Sequence, residues 1–561
     1  MWYNLNTRIL KKLHEYKNMK YLFFLLIISV LSVQCAVKTW TTIYGAKFGS
    51  GGFGIACDSK NNMYAAGRTM GGFDKQKHTG YTDDACLSKL TPDGKRLWTK
   101  IWGTQDQDGC YGITVDKDDN IIVVGYLSGS IDGQPFLGEK DLFAAKYNSD
   151  GKRIWLKIWG TESYDYAKNV TSDNKGNIYV VGTTMGEFPG YVNSSWNDVC
   201  VSKLNSSGEL LWVRQFGSSA GDFGESIAVN NENDILVCGG TRGPLDGQPG
   251  VGDMDLFLKC YDTNGVTKWS KIWGSYDFDT AYDITFDTNN NIYVAGWAKG
   301  SVDGQPYIGK GDFCLTKFNY EGTQLWVKMW GSSEADWCSD IVSYENKLYV
   351  SGVTDGDVDN QKPIGRYDLY FAEINTNGVI QSSKLWGSDK NDYSGELCSD
   401  NSGAFYIIGE TFGSFDGQKN KAIEDAPNIF ISAFEASTNL NISSSKGKIG
   451  KNKIKASLYH VSPIEYYFNG SVTVTVNNIT NVFSSEDADW KWNKKGTVGK
   501  IKRKDKSIFK IKGANPQKRK IIVKLSDNNF TNGVPNLDIN VDLSNGQKGN
   551  ISVQPDSKGK F

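Results

Sequence analysis

Between residues 37 and 435 the chain is written in short apolar runs separated by clusters of turn-forming residues. In "YGITVDKDDNIIVVG", residues 111–125, an alternating run stops at an Asx-type turn and a solid β-branched run follows. A loop of about 15 residues leads to "DLFAAKY", a tight "NSDG" turn and "IWLKIWG". β-Branched and aromatic residues fill the runs, and no stretch of helical period lies between them, so each segment predicts four short strands.

The pattern repeats. The glycines closing the "IWG" stretches are Gly45, Gly103, Gly160, Gly217, Gly274, Gly331 and Gly387, with steps of 58, 57, 57, 57, 57 and 56 residues. A second glycine follows each after 21 or 22 residues. A repeat of this length marks a supersecondary unit that buries its apolar face against its neighbours, and four strands per unit predict a β-propeller. "VKTWTTIYG" at 37–45 is a fourth strand with no strands before it, while the last copy ends after a third, "NIFISAFEA". Joined, they make a seventh blade and close the ring, removing two exposed sheet edges. The expected fold is therefore all-β, a seven-bladed propeller whose last blade is completed by an N-terminal strand. Trp40, Trp98, Trp155, Trp212, Trp269 and Trp326 recur in the fourth strand, with Ser382 in the seventh copy, and are expected to fill the space between blades.

The recurring W-x-K-x-W-G, N-I-Y-V-x-G, D-G-Q-P and D-x-F-x-x-K-Y elements resemble the SBBP-type β-propeller repeat of bacterial envelope and secreted proteins, over about residues 37–435. That resemblance implies the fold and an exposed location, and it carries no catalytic residue.

The ends of the chain differ from its middle. "MKYLFFLLIISVLSVQC" from Met19 has a basic start and a short apolar run, the form of an export signal within residues 1–35, and Met19 is a second candidate start. Cleavage near Cys35–Ala36 is one outcome. "LSVQC" also resembles a degenerate lipobox, which would make Cys35 a lipidated anchor. Residues 436–455 form a Ser/Lys-rich linker, and alternating runs in 456–561 predict a small, basic β-sandwich-like domain. The net charge of −1 divides into about +4 for residues 1–35, about −18 for 36–435 and about +13 for the tail. An acidic body argues against nucleic acid as partner, whereas the basic tail suits a membrane surface or an anionic polymer.

Long loops of the propeller share one face, where function is expected. Two polar series are placed there. One is Asp108, Asp165, Asp222, Asp279, Asp336 and Asp392, five residues after each "IWG" glycine, with Ser50 in the first copy; it is expected near the channel mouth. The other comprises Asp132, Gln134, Asp246, Gln248, Asp303, Gln305, Asp416 and Gln418, with variants at Asp74 and Asp359. Either the carboxylates bind Ca²⁺ or a hydroxyl-rich ligand, or each holds a turn by accepting backbone N–H groups. No cofactor is required on either reading. Histidines are His14, His78 and His460, which leaves no His-based triad in the propeller. Cys57 and Cys398 hold equivalent places in the blades flanking the closure, where a disulfide would fit. The expected protein is a monomeric, non-enzymatic binding or adhesion scaffold, secreted or held at the cell surface, whose long-loop face engages a protein or glycan. The alternatives are a polysaccharide-acting hydrolase or lyase and a purely structural envelope component. The enzyme is disfavoured here because its candidate acids repeat from blade to blade and no blade carries a distinctive cluster.

Overall fold

The computed structural model describes residues 37–423 and 426–435, and beyond them only the backbone of strands between residues 442 and 553. Expectations for Cys35, the leader and the side chains of the tail lie outside the described residues. The tail strands fall in one six-stranded and one four-stranded sheet. Seven further sheets of four antiparallel strands form the propeller, and the described residues contain no helix. In the seventh, Val37–Tyr44 pairs antiparallel with Asn428–Glu435.

Middle strands are solidly buried. Ile121–Leu127 and Asp141–Tyr147 have every residue in the interior, as expected for strands covered on both faces. Large rings fill the wedges between blades, among them Tyr64, Phe143, Tyr179, Phe257, Phe313 and Phe405.

Four of the seven fourth strands carry two tryptophans, Trp98 and Trp102, Trp155 and Trp159, Trp269 and Trp273, and Trp326 and Trp330. Trp155 and its equivalents are only half-buried. The ring of Trp98 lies over the turn glycine Gly151 of the next blade, where an added Cβ would come within 3.1 Å of it. Gly151 also has φ +78°, so the recurring Gly provides both the turn and the seat for the ring. The tryptophan beside the glycine goes deeper in three blades: Trp159, Trp273 and Trp386 are 5–8% exposed and donate Nε1–H to Ser202, Thr316 and Ser432 of the following blade, whereas Trp102 and Trp330 are half-buried. At those three seams burial falls mainly on the tryptophan beside the glycine rather than on the series singled out from the sequence.

Candidate functional site

The first strand of every blade lines the central channel. Its ladder shifts register near its start, at 52/54, 110/112, 167/169, 224/226, 281/283, 338/340 and 394/397, skipping one residue in six blades and two in the last. The residue skipped by such a β-bulge is turned out of the ladder and re-aimed. Those skipped are Phe53, Tyr111, Lys168, Glu225, Tyr282, Ser339 and, in the last blade, both Gly395 and Glu396. All of them line a channel pocket of about 300 Å³. Trp337 adds a further aromatic wall, so the pocket lies in the half of the channel nearer the long loops.

Its floor is asymmetric. Nine residues after the "IWG" glycine, the seven blades carry Gly54, Gly112, Asn169, Ser226, Asp283, Asp340 and Glu396 in turn. Three acids stand side by side, one from each of blades five to seven, so the grouping arises between blades and not within one. Each reaches to its neighbour. Asp283 accepts Ile341 N–H at 3.1 Å and the Ser226 hydroxyl at 2.6 Å. Asp340 accepts Leu397 N–H at 2.8 Å, and Glu396 accepts Ile55 N–H at 3.0 Å. Across the channel, Asn169 Nδ2 donates to Glu396 at 2.9 Å. Where the acids are replaced by glycine the backbones close up: a Cβ on Gly112 would sit 2.7 Å from Asn169 Cα, and one on Gly54 2.7 Å from Tyr111 O. Glycine in blades one and two permits direct backbone approach, and carboxyl groups span the gaps between later blades.

Crowding sets the protonation of this belt. Burial raises Asp283, and raises Asp340 and Glu396 well above the usual carboxylate range; the Asp283 charge adds to the rise at Asp340. Asp283 and Asp340 also share a hydrogen bond. Above the belt, Lys168 Nζ lies 3.3 Å from the Glu225 carboxylate, whose charge holds the ammonium in its protonated form. The same nitrogen is 5.4 Å from the Tyr111 ring centre, and Tyr111 lies 5.1 Å from Phe53.

The two series read from the sequence sit elsewhere. Asp108, Asp165, Asp222, Asp279, Asp336 and Asp392 are fully buried. Each accepts the N–H four residues before it, from Thr104, Thr161, Ser218, Ser275, Ser332 and Ser388. Burial raises all six to about 6. Beside them lies a second buried series that the sequence reading missed: Asp84, Asp141, Asp198, Asp255, Asp312 and Asp368, opening the third strands. The "IWG" glycine fits between the two carboxylates. A Cβ on Gly160 would lie 2.6 Å from Asp141 Oδ1 and 2.8 Å from Asp165 Oδ2. At the seam this pair is Asn428 and Ser50, both uncharged.

In the D-G-Q series, Asp132, Asp246, Asp303 and Asp416 adopt φ of 50–54° and Gln134, Gln248, Gln305 and Gln418 close the turn, each N–H bonding the carbonyl three residues back. The exposed Asp side chains fold against their own blade or its closing strand. Asp246 meets Lys259 at 2.6 Å, Asp132 meets Arg153, Asp303 meets Gln324, and Asp416 meets Lys38 and Thr41. Gln248 Nε2 donates to the Ser270 carbonyl. The structure therefore brings neither series together at one site. Among the described residues, no three His, Cys, Asp or Glu side chains are grouped to hold a metal ion, and no helix is long and apolar enough to cross a membrane. The signal for the channel belt was present in the sequence: it is the register position at which the repeats disagree.

With seven four-stranded blades around one channel, the molecule is a seven-bladed β-propeller. The profile of the SBBP β-propeller repeat matches residues 154–189 and 268–302, within two blades' worth of sequence. The chain is 23% identical over 272 residues to a WD repeat-containing protein of Acanthamoeba polyphaga mimivirus, covering 43% of the chain and 17% of that protein. It is 29% identical over 176 residues to the regulatory protein FlaEY of Caulobacter vibrioides, covering 28% of the chain and 18% of that protein. It thus spans under a fifth of the length of either relative. Among solved structures, the Neurospora crassa Pan2 WD40 domain aligns with a TM-score of 0.39 at 9% identity, covering 72% of this chain and 90% of that one.

Proposed function

We propose that this protein is a binding propeller that takes a hydroxyl-rich ligand, a sugar residue or the end of a glycan, in the long-loop half of its central channel. The observation carrying this reading is the asymmetric pocket itself. Phe53, Tyr111, Tyr282 and Trp337 offer apolar ring faces, while Asn169, Ser339 and the Lys168–Glu225 pair supply donors and acceptors at fixed positions. Aromatic walls with a few placed polar groups are the usual composition of a small-molecule site. The buried Asp series serves the turns on this reading, and the D-G-Q loops anchor the blade faces. Residues 1–35 export the chain, and 456–561 form a basic sandwich-like module that retains it on an anionic surface.

A second reading, a polysaccharide-acting enzyme, is favoured by one feature. Burial raises both carboxyls of the Asp283–Asp340 pair beside Glu396, and a carboxyl that holds its proton more tightly next to a second one is a feature of acid–base cleavage of a glycosidic bond. One experiment addresses both: an array of glycans and envelope polymers, with and without Ca²⁺, probed with the wild-type chain, Trp337→Ala and Glu396→Gln, and analysed for products. Saturable binding lost in Trp337→Ala, without products, is the expected result. Products that vanish in Glu396→Gln would replace it with the enzyme. Binding unaffected by Trp337→Ala would move the site out of the channel.

A further inference from the structure

The closure of the ring carries a feature independent of the channel. Cys57 ends the first strand of blade one and Cys398 lies one residue from the end of the equivalent strand of blade seven, 341 positions later. Their sulfurs are 3.0 Å apart. Both thiols are half-buried, whereas the other described cysteines, Cys86, Cys110, Cys200, Cys238, Cys260, Cys314 and Cys338, are buried. The adjoining turns also meet across the seam, where Asn401 N–H donates to Asn61 Oδ1 at 3.3 Å and Asn401 Nδ2 to the Ser59 carbonyl at 3.4 Å. The two strand ends are thus held in register before any covalent bond exists.

We infer that Cys57 and Cys398 are a modification site: a dithiol that forms a disulfide and locks the first blade to the last. The oxidant is a small-molecule disulfide. One thiolate attacks it, giving a mixed disulfide and releasing one reduced thiol. The second thiolate then displaces the bound half, forming the Cys57–Cys398 bond and releasing a second reduced thiol. Two S–H bonds are lost, two electrons pass to the oxidant, and the protons leave with the released thiols. Burial raises the Cys398 thiol well above its usual range, so its thiolate is scarce and exchange is slow at neutral pH. The bond would close a very long loop, the geometry in which a cross-link most restricts the unfolded chain.

The test uses the full chain, reduced and then exposed to oxidised glutathione at pH 8, with free thiols trapped by iodoacetamide and peptides mapped by mass. The expected result is a single cross-linked peptide pair carrying Cys57 and Cys398, with a mass loss of about 2 Da. Faster migration on a non-reducing gel should accompany it, with a melting midpoint higher than that of the reduced chain by on the order of 5 °C. The Cys57→Ser/Cys398→Ser chain should show none of the three changes. Alkylation of both cysteines, a persistent glutathione adduct on either, or a bond between two chains would overturn the inference. Because the wild-type chain gives the decisive map, a poorly folding variant would not obscure the answer.

Discussion

Six buried aspartates should make this propeller more stable at mildly acidic than at neutral pH. Asp108, Asp165, Asp222, Asp279, Asp336 and Asp392 stand at about 6 in the folded chain against an ordinary 3.8. The main cause is burial, and the facing third-strand aspartate adds to it. A raised folded value means the native state binds more protons than the unfolded state between those limits, so stability falls as pH rises through that range and is fully reduced above it. Going from pH 7.5 to 5.5 recovers about 0.8 kcal/mol per group, or about 5 kcal/mol if all six were independent. For a body of about 400 residues that corresponds to a rise in melting midpoint of about 6 °C. Asp283, Asp340 and Glu396 act in the same direction. Asp116, Asp119 and Asp287, which are lowered by hydrogen bonds, oppose this only below about pH 4. The assay is calorimetric melting across pH 4.5–8, repeated on Asp165→Asn, whose profile should be flatter by about one group's share. The seam already carries Asn428 and Ser50 at the equivalent pair, so an uncharged pair fits the fold. A midpoint that is flat or falls on acidification would refute the argument.

Gly160→Ala should cost about 1–3 kcal/mol, because its Cβ must push apart two carboxylates that are fixed by backbone N–H groups; chemical denaturation measures it, and a neutral outcome would mean the turn opens freely. Trp159→Ala should cost about 3–5 kcal/mol, clearly more than Trp155→Ala, since only Trp159 is both buried and bonded to the next blade. Equal losses would contradict that division between the two tryptophans.

What the sequence determined by itself was the architecture. A period of about 57 residues, two glycines per unit and four short β-branched and aromatic runs between turns leave a propeller as the natural solution, since each unit can bury its faces only against copies of itself. The unmatched strand at Val37–Tyr44 and the three-stranded last copy were equally plain. The channel was not. The regularity that revealed the blades drew attention to residues repeated in every blade, and those aspartates hold turns because every blade must turn alike. Which side chains face the channel depends on a bulge in each first strand, and a bulge changes facing without changing composition. Asp283, Asp340 and Glu396 lie 57 and 56 residues apart in the chain, each among ordinary strand residues. Only the packing of successive blades around the channel places them side by side, where shared burial raises their pKa values and each spans the gap to the next blade.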